Sequence, residues 1–475
     1  MDIVVIADSS CYVASDEFMS FALCDALAVL QIARVYERSS AQFILSCSLE
    51  NGWLHTTITN QSGKVFKHTE KIDYTAELRR KTVKSAVKLL MNNYITSLDK
   101  WGILRGVRPT KLAAALIKQH GITGAARILA QDCLLNEQSL ELLLEVTQNE
   151  SAYLRQLQLD RNAAVVYIGV PFCPTRCSYC SFTSFPVPDN NVIQEYVQAV
   201  YSELETVAKI VRQVGKKIVS LYIGGGTPVS LPVRYFAALL QSVREWFPDV
   251  AEFTVECGRP ELITSAVLAA LNAATVSRIC INPQSLNDQT LARIGRTHSA
   301  KSVYDAFKLT RENFRGAINM DTIAGLSGET VAEFADTLDN VIALQPENIT
   351  VHSLALKRGS ALSTAGTLTE RKPVEQMLRY AYSMCKKHDY SPYYLYRQKN
   401  SIGENVGYCL SDCQCLYNIM IIEEQHAVFG IGPGAATKAV FDKDLKSVYN
   451  PKDYQVYIAH VNEYNLKKQR LFEQM

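Results

Sequence analysis

The sequence predicts an α/β protein built on a partial, open (β/α)6 barrel, with an α+β accessory domain in front and a small α+β domain behind. Two observations carry this. From Ala163 onward, six short β-rich runs alternate with amphipathic helical stretches, the pattern of βα units forming a parallel sheet. Chemically distinctive residues also recur at the carboxyl ends of those runs, where folds of this kind place their sites, and six units are too few for a closed eight-stranded barrel. The domains are accordingly residues 1–155, 156–390 and 391–475.

In the front domain, the apolar stretch Phe18 to Ala33 is interrupted by Asp25 and is too short to span a bilayer, so it reads as a buried helix. Met1 to Ile6 carries no basic run of the kind that opens a signal peptide. Phe43 to Cys47 and Trp53 to Ile58 flank Asn51-Gly52, a strong hairpin signal. Val83, Val87, Leu90 and Tyr94 then recur at helical spacing and form a core face. Residues 1–50 hold seven acidic and two basic side chains, whereas residues 61–128 hold fourteen basic and four acidic. This asymmetry suits either a docking face for an acidic partner or RNA, or a solvated helix face, and the solvated face is the preferred reading.

The barrel strands are Ala163 to Ile168, Ile218 to Ile223, Glu252 to Glu256, Arg278 to Asn282, Ala317 to Ile323 and Ile349 to Leu354. Helices over Asn191 to Arg212, Val233 to Trp246, Val303 to Glu312 and Val331 to Leu344 connect them. The last zone contains the aromatic run Tyr393-Tyr394-Leu395-Tyr396 and the small-residue stretch Gly430 to Ala436.

A net charge of +2, with 20% charged and 48% hydrophobic residues, describes an ordinary globular chain with no general affinity for nucleic acid. Thirteen cysteines in 475 residues are too few for a secreted disulfide scaffold, and their odd number points to reduced thiols in the cytoplasm. Cys173, Cys177 and Cys180 stand at CxxxCxxC spacing directly after the first barrel strand. A [4Fe–4S] cube normally takes four cysteines, so three leave one iron open to a small molecule, as reductive cleavage of S-adenosylmethionine (SAM) requires. Plain buried cysteines and a zinc loop are the rival readings, and zinc needs a fourth ligand to close its tetrahedron. Cys409, Cys413 and Cys415 form a second cluster in sequence, CxxxCxC, which reads as packed thiols rather than a second metal site.

The second strand ends in Gly224-Gly225-Gly226-Thr227-Pro228, where glycines let main-chain groups approach a ligand. Glu256 closes the third strand, Gln284 follows the fourth, and Asp321 lies in the fifth, all acceptors suited to ribose hydroxyls and an ammonium group. Each alone is equally well a loop cap; together they converge on one mouth.

The cysteine loop, Gly224 to Pro228, Ile294-Gly295-Arg296-Thr297-His298 and Asn319 to Gly325 resemble the radical SAM branch that contains oxygen-independent coproporphyrinogen III oxidase. Trp101 to Leu104 and Arg108 to Lys111 further resemble the helical front domain of HemZ-type coproporphyrinogen dehydrogenases. The resemblance implies that the fold is a radical SAM barrel and that Cys173, Cys177 and Cys180 hold a [4Fe–4S] cluster. It places Tyr167 near the SAM sulfonium and the Tyr179 backbone at adenine, with Gly225, Gly226, Thr227, Glu256, Gln284, Arg296, Asp321, Ala355 and Ala436 at the remaining SAM positions. The implied reaction removes carboxylates from two propionates of coproporphyrinogen III and leaves vinyl groups. It is fed by a reduced flavodoxin or ferredoxin-like donor. Arg296, Arg358, Arg397 and Lys399 are candidate cations for the tetra-anionic porphyrinogen, and for all but Arg296 an ordinary surface charge is at least as good a reading.

In the best-characterised branch a fourth cysteine and a histidine stand where this chain has Phe182 and Gly169. That brings the loop closer to the HemZ and HemW groups, the second of which carries haem. The HNxxYW signature of the haem carriers aligns with Tyr417-Asn418-Ile419-Met420-Ile421-Ile422, which lacks the histidine and both terminal aromatics. A haem-carrying chaperone and a radical SAM enzyme acting on another tetrapyrrole are the alternative functions.

Overall fold

The computed structural model describes residues 10–14, 33–34, 43–60, 62–71, 78–94, 99–104, 106, 108–158, 161–180, 182, 184–355, 371–398, 402–441 and 445–473. The helix expected over residues 18–33 falls almost wholly outside these, as do Arg358 and Lys399. Two compact units divide the chain, Met1–Thr147 and Gln148–Met475.

The first unit holds a five-stranded sheet of β1 (Ser10–Ala14), β2 (Ala33–Arg34), β3 (Phe43–Glu50), β4 (Trp53–Asn60) and β5 (Val65–Lys71), in the order β2-β1-β3-β4-β5. β3 and β4 form the hairpin expected at Asn51-Gly52, whose φ values of 50° and 79° are the left-handed pair that a two-residue turn needs. Helices α1 (Leu78–Tyr94) and α2 (Pro109–Gln131) follow, and α3 (Glu137–Gln156) carries the chain across the boundary between the units. Val83, Val87 and Leu90 of α1 are buried, as their spacing requires. Lys84 departs from the solvated-face reading of the basic run: it is buried, with its ammonium 2.7 Å from Glu70 and 2.8 Å from Asp132.

The second unit is an 11-stranded mixed sheet with helices between its strands. Its centre is β6 (Ala163–Val170), β9 (Lys217–Gly225), β10 (Glu252–Glu256), β11 (Arg278–Gln284), β12 (Ala317–Ala324) and β13 (Asn348–Ser353), all parallel and adjacent in chain order. A small parallel pair, β7 (Phe172–Cys173) and β8 (Phe185–Pro186), closes the base of the loop after β6. The connecting helices are α4 (Asn190–Gln213), α5 (Val233–Trp246), α6 (Ser265–Ala273), α7 (Asp288–Arg293), α8 (Ala300–Asn313) and α9 (Val331–Ala343). Their starts are fixed chemically. Asp189, Thr264 and Asn287 cap the first turns of α4, α6 and α7, while Ser299 and Thr330 build capping boxes on α8 and α9.

Residues 391–475, which the sequence sets apart, contribute to the same sheet. After α10 (Arg371–Lys387), strands β14 (Ser391–Arg397) and β15 (Glu404–Cys409) extend it antiparallel beyond β13. After α11 (Leu416–Glu423), β16 (Ala427–Ile431) pairs parallel with β6, so the parallel run has seven strands rather than six. β17 (Ala436–Val440) and β18 (Leu445–Tyr449) finish that edge, and α12 (Tyr454–Phe472) covers it. β6 therefore lies inside the sheet. Seven of its eight residues are buried, as expected of a strand covered on both faces. No described helix is long and apolar enough to cross a membrane.

Candidate active site

At the carboxyl end of β6 the chain enters the cysteine loop, which is tied down on two sides. Gly226 N donates to Val170 O at 2.7 Å and Thr227 N to Phe172 O at 2.7 Å, fastening the loop to the glycine turn after β9. Ser178 N donates to Ile294 O at 3.0 Å, fastening it to the turn after α7. Cys177 is buried, Cys173 and Cys180 are half-buried, and all three are free thiols. Among the described residues no three His, Cys, Asp or Glu side chains converge on one metal ion.

The glycine turn is a cradle that side chains would fill. Gly225 has φ +105°, and a Cβ there would stand 2.8 Å from Val170 O; a Cβ on Gly226 would stand 2.6 Å from Phe172 O and 3.0 Å from Cys173 Sγ. Only glycine lets the turn lie against the loop. Thr227 Oγ1 reaches Cys173 Sγ at 3.4 Å.

The next four strands deliver polar side chains into the same cavity, which has a volume of about 500 Å³. Glu256 accepts from Asn282 Nδ2 at 3.0 Å and from the Tyr222 hydroxyl. Burial and the neighbouring Asp321 carboxylate push it up to about 7. Asp321 accepts from Asn319 Nδ2 at 2.7 Å and faces His352 Nε2 at 3.5 Å. Burial pulls His352 down, but Asp321, the Asn405 side chain and the Glu256 charge together outweigh it and the net shift is upward. Gln284 ends β11 with φ +67°, a left-handed backbone that a non-glycine residue adopts at a cost, and its side chain is buried. Arg296 donates to Asn282 O at 2.6 Å and to the Tyr179 hydroxyl at 3.2 Å.

An aromatic wall adjoins these groups. Register sets Tyr167 beside Tyr222 across β6 and β9, with ring centroids 6.2 Å apart, and Tyr417 stacks on Tyr222 at 4.3 Å. Tyr417 is held by Glu252, which accepts the Leu416 and Tyr417 N–H groups at 2.8 and 3.0 Å and so satisfies the start of α11. Tyr393, Tyr394 and Tyr396 of β14 line the cavity too.

Tyr167, Cys173, Cys177, Tyr179, Cys180, Gly225, Gly226, Thr227, Glu256, Gln284, Arg296, Asp321 and Ala355 all line this one cavity. Ala436 does not: it opens β17, pairs with Tyr449 and packs its backbone against Gly430. Around Cys409, Cys413 and Cys415, Arg278 donates to the Cys413 and Gln414 carbonyls at 3.1 and 3.0 Å, and Cys409 and Cys415 are buried in the core. Tyr222, Asn282, Arg259 and His352 were not singled out in the sequence. Period-two spacing marks two of them, since Tyr222 precedes Gly224 and Asn282 precedes Gln284 by two positions and so shares a face with it.

The residues present fit an iron–sulfur cluster with a bound amino acid cofactor. Free thiols stand at one side, and beside them Gln284 Oε1, Asn282 Oδ1, Arg296 Nε and Arg259 Nη1 are buried without a partner. Such orphaned groups cost about 1–3 kcal/mol each unless a ligand meets them. Glu256 and Asp321 are carboxylates that could meet an ammonium and a ribose.

The model of the Radical SAM superfamily matches residues 167–341. The chain is 35% identical over 458 residues to the oxygen-independent coproporphyrinogen-III oxidase-like protein HemZ of Bacillus subtilis, covering 92% of this chain and 91% of that protein. It is 30% identical over 195 residues to the heme chaperone HemW of Bacillus subtilis, covering 40% of this chain and 50% of that protein. Coproporphyrinogen III oxidase (HemN) of Escherichia coli shares the fold, with a TM-score of 0.52 at 19% identity over 66% of this chain and 73% of that one.

Proposed function

Because the chain belongs to the radical SAM superfamily and, within it, to the family of HemZ, we propose that it converts coproporphyrinogen III to protoporphyrinogen IX without oxygen, turning two propionates into vinyl groups. When bound, the cluster and SAM would supply radical chemistry that takes one hydrogen atom from each propionate side chain, after which carbon dioxide leaves and the one electron remaining from each propionate passes to an electron acceptor.

The protein's own residues hold, orient and exclude. Cys173, Cys177 and Cys180 would each ligate one iron, leaving the fourth for SAM. The Gly225 to Thr227 backbone, Glu256, Gln284, Arg296, Asp321 and Ala355 would hold SAM, with Tyr167 at its sulfonium and the Tyr179 backbone at its adenine. Binding of an ammonium at Glu256 would favour its ionised form against the burial that raises it. His352, whose proton affinity is raised on balance, lies 3.5 Å from Asp321, lines the cavity and suits a substrate carboxylate. Electrons would come from a reduced flavodoxin or ferredoxin-like protein.

One observation carries the assignment of substrate: the cavity that holds the cysteines is continuous with a wall of six tyrosines, Tyr167, Tyr222, Tyr393, Tyr394, Tyr396 and Tyr417. Flat aromatic faces with polar tips suit a macrocycle and keep bulk water from a radical. The identity to HemW supports a second reading, a haem-carrying chaperone. Against it, that match covers only half of HemW, and α11, where the haem carriers have their signature, bears no histidine. Anaerobic incubation with coproporphyrinogen III, SAM and a reductant, read by mass spectrometry, tests the proposal. Loss of two carbon dioxide units with the matching hydrogens is expected. Tight haem binding without turnover would replace the proposal with the chaperone, and a product of another mass would assign a different tetrapyrrole.

A further inference from the structure

Arg259 has no duty in the reading above, yet it is a cation only 3% exposed. It follows Gly258, whose φ of +63° turns the chain after β10 back toward the cysteine loop. Its Nη2 donates to Thr175 O at 2.8 Å, to Thr175 Oγ1 at 3.1 Å and to Cys177 Sγ at 3.2 Å. Nη1 is buried without a hydrogen-bond partner, since Glu261 Oε1 stands 3.8 Å away. Glu261 is turned instead to the buried His298, whose Nδ1 lies 3.4 Å from its other oxygen, and accepts from Thr297 Oγ1 at 3.2 Å. Arg296 is engaged elsewhere, on Asn282 O and Tyr179.

We propose that Arg259 is a positioning residue that sets the reduction potential of the cluster, through its N–H···S bond to Cys177 and its buried positive charge. The inference rests on Cys177 being a cluster ligand. Reduction adds a negative charge to a site screened from water, and a fixed guanidinium in hydrogen-bond contact with a ligating sulfur stabilises that charge more than it stabilises the oxidised state. Nη1, ion-paired with Glu261 Oε1 at 3.8 Å but without a hydrogen-bond partner, keeps the guanidinium's second donor buried as well. Bonds to Thr175 hold the fork in place, so the donor does not have to reorganise when the electron arrives. Lysine keeps the charge, but its flexible stem does not hold a donor at Cys177 as the planar guanidinium does, and it has no second nitrogen to stand beside Glu261.

The full-length protein, reconstituted anaerobically with ferrous iron and sulfide and left without SAM, is titrated with dithionite through redox mediators and read by electron paramagnetic resonance. Arg259→Met is expected to retain four irons and to show, at the wild-type midpoint, at least a tenfold lower ratio of reduced to oxidised cluster. For a one-electron couple that is a midpoint about 59 mV more negative. Arg259→Lys is expected to fall less, because it keeps the charge and loses the fork. An unchanged midpoint in Arg259→Met overturns the proposal. If that variant loses its cluster, Arg259→Lys decides: a lowered midpoint supports the proposal and a wild-type midpoint overturns it. Loss of the cluster from both variants also overturns it and makes Arg259 a strut of the loop. Failure of the wild type itself to bind iron refutes the cluster reading, and is seen before any variant is measured.

Discussion

Gly226→Ala adds one methyl group at the point where the glycine turn touches the cysteine loop. Gly226 does not need a left-handed backbone, so the whole effect is collision. The new Cβ would lie 2.6 Å from Phe172 O, closer than real Cβ atoms come to a backbone oxygen, and 3.0 Å from Cys173 Sγ, so the neighbouring backbone must shift. Phe172 O already accepts from Thr227 N at 2.7 Å and from Ser230 Oγ at 3.2 Å, so moving it weakens both bonds. Overpacking costs about 1–3 kcal/mol, and weakening by about half two hydrogen bonds each worth about 1 kcal/mol adds about 1 kcal/mol, together roughly 2–4 kcal/mol. At 1.4 kcal/mol per tenfold, SAM affinity falls by about 30- to 700-fold if the strain is relieved when SAM leaves. Calorimetric titration of SAM into reconstituted protein, alongside iron analysis, measures this. Gly106→Ala is the control, because a Cβ there meets nothing within 4 Å. SAM affinity and iron content within twofold of wild type in Gly226→Ala would refute the close packing of turn against loop as a requirement of the site.

Replacing Cys173, Cys177 and Cys180 together with alanine should abolish cluster absorbance and SAM cleavage; full iron content in that variant would end the cluster assignment. Arg296→Lys should weaken SAM binding with the cluster intact, since an ammonium cannot reproduce the guanidinium's fork, and calorimetry checks it. Glu256 sits at about 7 in the folded chain, so between pH 4.5 and 7 the folded state holds more protons than the unfolded one and stability falls as pH rises, by up to about 3 kcal/mol. Glu329, also raised to about 7 by burial, adds in the same sense, so the test is whether Glu256→Gln flattens part of the slope in urea unfolding of the cluster-free protein. Substituting Cys409, Cys413 and Cys415 together with serine should leave four irons per chain, and eight in the wild type against four in the variant would move a second cluster into the C-terminal zone.

The barrel strands were legible because each is a continuous apolar run bounded by turn residues, and β10 begins and ends where the sequence placed it. β16 was not counted. Its five residues pair with a strand more than 260 positions earlier, and such long-range pairing leaves no periodicity to read. At the site, the cysteine spacing and the Gly224 to Thr227 turn are local patterns and carried their meaning in the sequence. Arg259 is different, because its bond to Cys177 spans 82 positions and nothing beside it hints at a sulfur partner. Glu252 and Arg278 are similar: both open strands that read as apolar, and only the fold shows them paired at 3.5 Å beneath the α11 start. Ala436 was placed by resemblance alone; it pairs with Tyr449 in the β17–β18 hairpin and is not among the residues that line the cavity.

The pairing of β16 with β6 also orders events during synthesis. The strand that leads into the cysteine loop is made early, but one of its edges has no neighbour until Ile431 has been added. At about 5–20 residues per second, the wait from Val170 to Ile431 lasts roughly 15–50 s. Through that interval β6 would present an apolar edge with unpaired N–H and carbonyl groups, the surface on which strands of different nascent chains join. When β16 arrives it brings a clasp with it: Glu203 of α4 accepts from Gly432 N at 2.7 Å, Asn450 Nδ2 at 2.8 Å and the Tyr457 hydroxyl at 2.6 Å, and is paired with Lys468. Four groups from the last tenth of the chain thus close on one carboxylate made long before. Soluble yield should therefore depend on how fast the ribosome covers the final stretch, and slow codons placed between positions 171 and 426 would favour inclusion bodies without changing a single side chain.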